Sequence, residues 1–315
     1  LAVGPFIVLH LPSSNKKILL KNFLDNRWLL LAIIALTWGS SFILIKKSLL
    51  LFSPYEIGAF RVAVSGLLLG YLGIPALRTM GRKSLFWVAM TGFFGNFLPM
   101  YLFPIAQTRV SSSLAGILDS LVPVFVLVLG FLFFKIKSTM PQYIGALLGF
   151  IGAAILMYFS ETSSEETKIG YALLVVLATA CYAMAGLIIK ERLSHIPSVQ
   201  LSGAVFGIWM VPSLVILALA GFFNQDFSSS ATVEALGFLG VLTVLGTAIA
   251  MILYYKLIQK TSAVFASTVT YLLPLVAVIW GLLDGERFSI WYVVGGLLIL
   301  LGIYLIKEKK KAAEQ

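Results

Sequence analysis

Apolar residues in this chain run on in long uncharged stretches, with neither the alternation of a half-buried strand nor the single stripe of a soluble amphipathic helix. Ten such stretches can be marked, over residues 28–45, 54–74, 84–107, 110–134, 140–159, 169–189, 197–222, 235–255, 261–283 and 290–306. Each approaches the roughly 20 helical residues that cross about 30 Å of hydrocarbon. A helix satisfies its own backbone in lipid, whereas an outer-membrane barrel would alternate apolar and polar positions. The pattern therefore predicts an all-α integral membrane protein with ten transmembrane helices. The connections are short and polar, and the largest, 161–168 with three glutamates, falls near the middle of the chain. It divides a tail (1–27) and a first five-helix half (28–160) from a second half (169–306) and a basic tail (307–315). Residues 1–11 are apolar but too short to span and lack the basic start of a secretory signal, so they are expected to form a loose tail.

Composition agrees with lipid as solvent. Only 11% of the 315 residues are charged, against roughly a quarter in soluble domains, which excludes an ordinary soluble enzyme. The net charge of +10 does not point to nucleic acid, because the basic residues lie between apolar runs and form no stripe. With both termini on the cytoplasmic side, 17 Lys and Arg fall inside and 5 outside, with Arg61 left over within a span. This bias follows the positive-inside rule and predicts a multi-pass protein of a bacterial cytoplasmic (inner) membrane with both ends cytoplasmic. A lone cysteine, Cys181, makes no internal disulfide and no zinc site, and no cofactor is expected.

The second half echoes the first. Trp38 to Lys46 aligns with Tyr182 to Lys190, Gly95 and Met100 with Gly246 and Met251, and Pro123 and Gly130 with Pro274 and Gly281. Gly145 and Gly152 match Gly295 and Gly302. An odd number of helices per half means that the copies enter the membrane in opposite directions. Inverted repeats are the basis of alternating access in many secondary transporters.

The motif Leu36-Thr-Trp-Gly-Ser-Ser41, Arg61 in the second span, Thr261-Ser-Ala with Leu273-Pro274, and Gly285-Glu286-Arg287 through Gly295 and Gly302 carry a resemblance. From Trp28 to Ile306 the chain resembles the ten-span drug/metabolite transporter superfamily, of the EamA type. The resemblance implies a transporter of small molecules and an arginine at position 61 as usual in the family; Glu286 is expected to be structural. The first-half counterpart of the Gly-Glu-Arg element reads Phe134-Lys135-Ile136, a departure from a pattern usually found in both halves.

Ionisable groups within lipid are costly, which makes each one a functional candidate. Asp119 lies nine residues into the fourth span, opposite Thr270 in the second half. Its carboxylate could face an amine or carry a coupling proton. Arg61 reads as structural, its stem packed and its guanidinium on backbone carbonyls or snorkelling outward. Pro123 and Pro274 remove the amides that would bond the carbonyls of Asp119 and Thr270, which marks helix breaks at matching places. Asn96, Met100, Phe103 and Gln107 share one face of the third span, with Thr247, Met251, Tyr254 and Ile258 as counterparts. Trp38 and Tyr182 are matching aromatics. The substrate-binding candidates are accordingly Trp38, Asn96, Met100, Asp119, Tyr182, Met251, Thr270 and Tyr271. Gly66-x-x-x-Gly70, Gly145-x-x-x-Gly149 and Gly203-x-x-x-Gly207 predict close helix contacts within one chain, as a monomer or weak homodimer.

These features favour a secondary active or facilitative transporter, an exporter of a small metabolite such as an amino acid, amine or amphiphilic drug. The small-molecule substrate and the bilayer are its partners, with proton coupling at Asp119 as a candidate. No phosphate-binding loop for ATP occurs. A channel would need a continuous polar pore. An intramembrane enzyme would need a second mid-membrane carboxylate or a histidine base, and neither exists, since His10 and His195 lie outside the spans.

Overall fold

A computed structural model describes residues 26–110, 112–158, 169–283 and 290–306, and these are helical throughout apart from short connections. In chain order they form α1 (Arg27–Ser48), α2 (Pro54–Thr79), α3 (Arg82–Gln107), α4 in two pieces (Ser112–Asp119 and Val122–Phe134) and α5 (Met140–Tyr158). The second half follows with α6 (Ile169–Arg192), α7 (Ser198–Leu219), α8 (Ser230–Lys260), α9 in two pieces (Ala263–Ser267 and Val269–Leu283) and α10 (Ile290–Ile306). Among the described residues, α1, α2, α3, α6, α7 and α8 are each long and apolar enough to cross a bilayer, and α4, α5, α9 and α10 contribute shorter apolar stretches. Several helices outrun their apolar cores: α8 begins at Ser230 and ends at Lys260, and α6 ends at Arg192. Polar residues at a span's ends keep helical hydrogen bonding while reaching the headgroup zone, so hydropathy alone sets the ends short. The tail before residue 26, the connector, Gly285-Glu286-Arg287 and the basic tail lie outside the described residues.

Large apolar side chains cover the outside. Phe131, Leu132 and Phe133 are each at least 60% exposed, as are Leu67, Leu219 and Leu297, a surface that only lipid solvates well. Local chemistry fixes the start of α2. The Ser53 hydroxyl accepts from the Glu56 amide, the Glu56 carboxylate accepts from the Ser53 amide at 2.7 Å, and Pro54 opens the helix. Gln225 Nε2 donates to the other Glu56 oxygen at 3.0 Å, tying the α7–α8 connection to this end. In that connection the Ser228 hydroxyl and amide both donate to Asp226, which holds its carboxyl below the ordinary range.

Glycine contacts show how the two halves are related. A Cβ on Gly73 would lie 2.1 Å from the Ala204 nitrogen, and one on Gly66 would lie 2.6 Å from the Met210 Cβ. Contacts that rise along α7 as they fall along α2 make the pair antiparallel. On the other side, Gly145 meets Gly302 and Gly152 meets Gly295, so α5 and α10 are antiparallel as well. Second helix against second and fifth against fifth, each reversed, is the arrangement of an inverted repeat. The remaining contacts obey the same exchange: α1 packs on α8 and α9, and α6 packs on α3 and α4. The predicted close glycine approaches thus fall within the chain.

Candidate functional site

The centre of this arrangement is a chamber, and its walls are built by irregularities in the helices. Both α3 and α8 widen into a π-turn at matching places, Phe93–Phe97 and Val244–Ile249. Such bulges recur at functional sites because they redirect backbone groups. In α8 the Ala250 amide reaches back to Leu245 and bypasses Gly246. The Gly246 carbonyl accepts the indole N–H of Trp38 at 3.0 Å. The next residue, Thr247, bonds five residues back to the Leu242 carbonyl and accepts from Arg61 Nε at 3.0 Å. One distorted turn therefore aims both Trp38 and Arg61. In the first half, Ala185 sits 2.9 Å from where a Cβ on Gly95 would be, and Ser41 Oγ sits 2.7 Å from one on Gly246, a matched pair of contacts across the pseudo-dyad.

The broken helices α4 and α9 meet at the same level. Asp119 ends the first piece of α4, and Pro123 lies in the first turn of the second. In α9 the interruption falls at Thr268, and Pro274 lies within the continuous piece Val269–Leu283. The predicted break at Pro274 is thus displaced toward the start of α9, because a helix can accommodate proline by giving up one bond and bending. Ser120 links the two helices: its hydroxyl donates to Gly116 and, at 3.4 Å, to the Thr270 carbonyl that Pro274 leaves without an amide.

Between these elements lie Trp38, Ser41, Phe42 and Ile45 of α1, Arg61 of α2, Phe103 of α3, Asp119 and Val122 of α4, Tyr182 of α6, Met251 and Tyr254 of α8, and Thr270 and Leu273 of α9. About 600 Å³ is free of protein atoms, mouth included, and the centre of a water molecule can move through about 60 Å³ of it. The latter is room for several waters. Trp38 packs on Tyr254 with centroids 4.9 Å apart, and Tyr182 stacks on Phe103 at 5.9 Å. Asp119 is 5% exposed, and its Oδ1 is buried without a hydrogen-bond partner among the described residues.

The chamber runs from the middle of α1 toward the Lys46 end, as the ladder Trp38, Ser41, Phe42, Ile45 shows. The opposite end is tied shut. Lys190 Nζ donates to the carbonyls of Thr261 and, at 3.3 Å, Gln259, and Gln259 Nε2 donates to the Ile196 carbonyl at 2.8 Å. Arg27 adds a guanidinium over the Phe265 ring at 5.4 Å. Lys46, the counterpart of Lys190, is exposed.

Of the sequence-derived candidates, Trp38, Asp119, Tyr182, Met251 and Thr270 line the chamber, and Asn96, Met100 and Tyr271 do not. Asn96 is buried and donates to the Tyr255 hydroxyl at 2.7 Å. Met100 is core. Tyr271 donates to the Ala146 carbonyl at 2.7 Å and lies flat on Gly149, pinning α9 to α5. Glu286 lies outside the described residues. Ser41, Phe42 and Ile45 escaped the sequence reading, although they follow Trp38 at i+3, i+4 and i+7 on one helix face. Arg61 neither bonds backbone carbonyls among the described residues nor snorkels outward: its Nε donates to the Thr247 hydroxyl, and the side chain lines the chamber.

Two inverted five-helix halves around one central chamber, wrapped in an apolar surface, define a membrane transporter. The chain belongs to the EamA-like transporter family, whose pattern matches residues 26–158 and again 169–307. It is similar to an uncharacterized transporter of Archaeoglobus fulgidus, 27% identical over 90% of this chain and 99% of that one. The uncharacterized inner membrane transporter YedA of Escherichia coli K12 is 27% identical, over 88% and 91%. YvbV, an uncharacterized transporter of Bacillus subtilis, is 24% identical, over 90% and 92%. A solved crystal structure aligns with a TM-score of 0.64 over 88% of this chain and 94% of that chain at 16% identity, a likeness of fold.

Proposed function

We propose that the protein is a secondary transporter that exports a small metabolite bearing a cationic nitrogen, an amino acid or amine, by alternating access. The observation that carries this reading is the buried, unpartnered carboxylate oxygen of Asp119 in a chamber walled by aromatic rings. A carboxylate removed from water and left without donors is stabilised by a proton or by a cation. Either one can displace the other, so Asp119 is also the coupling site. Aromatic faces add attraction for a cationic head and pack an apolar body.

The charge bias places the Lys46 end outside and the Lys190 end inside the cytoplasmic membrane. The chamber then faces outward, with Lys190 as the inner seal. Charge-assisted bonds of this kind contribute about 1.5–3 kcal/mol each. In a Cys181→Ala background with a reporter cysteine at Thr270, Lys190→Met is expected to raise labelling by an impermeant maleimide applied from the Lys190 side at least about fivefold. Equal labelling would remove Lys190 from this role.

The direct test is a thermal-shift screen of the purified protein against amino acids, amines, nucleotides and sugars. Ligands that bind only the folded form stabilise it by about 2.7 kcal/mol at a hundred times Kd. Amino acids or amines are expected to raise the midpoint. Hits confined to sugars and nucleotides, or none in a well-folded sample, would overturn the reading.

A further inference from the structure

Arg61 is 6% exposed, and burial of a guanidinium calls for an account of its five N–H donors. Nε is spent on Thr247. Among the described residues, neither terminal nitrogen donates to a protein atom, and neither is sealed from the chamber. A purely structural arginine in a membrane helix spends its fork on carbonyls or a carboxylate. The acids within reach in the sequence are otherwise placed: Glu56 is held by Ser53 and Gln225, and Asp119 is not in ion-pair contact with Arg61.

We infer that Arg61 is an anion-binding site in the chamber wall, which takes the carboxylate of the substrate. The fork is held by its Nε, which leaves the N–H bonds of the two terminal nitrogens free to pair with a carboxylate through two parallel hydrogen bonds. One fixed positive charge, in a chamber that also contains Asp119, favours a monoanion over a doubly charged phosphate. This rests on the proposed function and narrows it: with Asp119 as the cationic-group pole and Arg61 as the anionic-group pole, the preferred substrate is zwitterionic. Thr247 is then a positioning residue, acting through the guanidinium.

The test uses three probes that share one ring, phenylalanine, phenethylamine and 3-phenylpropionate, titrated by thermal shift against the purified full chain. Wild type is expected to bind phenylalanine at least about tenfold more tightly than phenethylamine, the worth of one charge-assisted carboxylate contact. Arg61→Gln should erase that preference while keeping affinity for phenethylamine. Arg61→Lys, which keeps the charge but loses the fork, should retain only a fraction of it and serves where the glutamine variant does not fold. Phenethylamine bound as well as phenylalanine by wild type, or a preference undiminished in both variants, would overturn the anion site and leave the proposed function standing. If folded wild type binds none of the three and no other amino acid or amine, the two fall together; if it binds another amino acid instead, the same comparison with that amino acid's own decarboxylated amine decides the anion site.

Discussion

Asp119→Asn is expected to reduce transport in reconstituted vesicles at least about tenfold and to abolish its dependence on a proton gradient, without loss of folded protein. The replacement keeps the shape of the side chain and removes its charge. A contact with a charged partner is worth about 1.5–3 kcal/mol, or about ten- to a hundredfold in affinity. Because Asp119 Oδ1 has no donor among the described residues, no hydrogen bond is lost at that oxygen when the charge goes. Burying an amide also costs less than burying a carboxylate, so the variant should unfold at the same temperature as the parent or higher. The two readouts separate function from structure. Proton-linked uptake that survives in the asparagine variant would strip Asp119 of its proposed role and leave it a buried acid.

Gly73→Val should act in the opposite way, on the fold and not on the chemistry. Its Cβ would sit 2.1 Å from the Ala204 nitrogen and 2.4 Å from the Gly203 carbonyl carbon. Both are backbone atoms and cannot rotate aside, so α2 and α7 would have to separate by more than about 1 Å along their seam. In lipid, helices associate through close packing of this kind, since burial from water contributes nothing between them. A loss of about 3 kcal/mol or more is expected, read as a collapsed monodisperse peak in size-exclusion chromatography and a lowered midpoint of unfolding. Gly70→Ala is the control. Its nearest neighbour across the seam, the Gly207 Cα, lies 3.5 Å from the added Cβ, an ordinary contact, so this variant should behave as the parent does. A stable, monodisperse Gly73→Val protein would show that the seam is softer than its contacts indicate.

The sequence by itself determined the number of spans and the division into two halves. Those depend on transfer into lipid and on chain parity, which are properties of composition and order: an uncharged run of twenty residues spans wherever it occurs, and five helices per repeat force inversion. It also singled out Asp119, because a carboxylate in an apolar run is costly whatever surrounds it. Which side chains face one another was decided only by the tertiary structure. Asn96 and Met251 look alike in the periodic pattern, yet one bonds Tyr255 in the core and the other lines the chamber. The π-turns have no signature in hydropathy, and they turn Gly246 and Thr247 toward Trp38 and Arg61. A helix face read at 3.6 residues per turn loses register wherever the ladder of bonds widens by one residue, so the orientation of every side chain beyond that point is set by the packing of its neighbours.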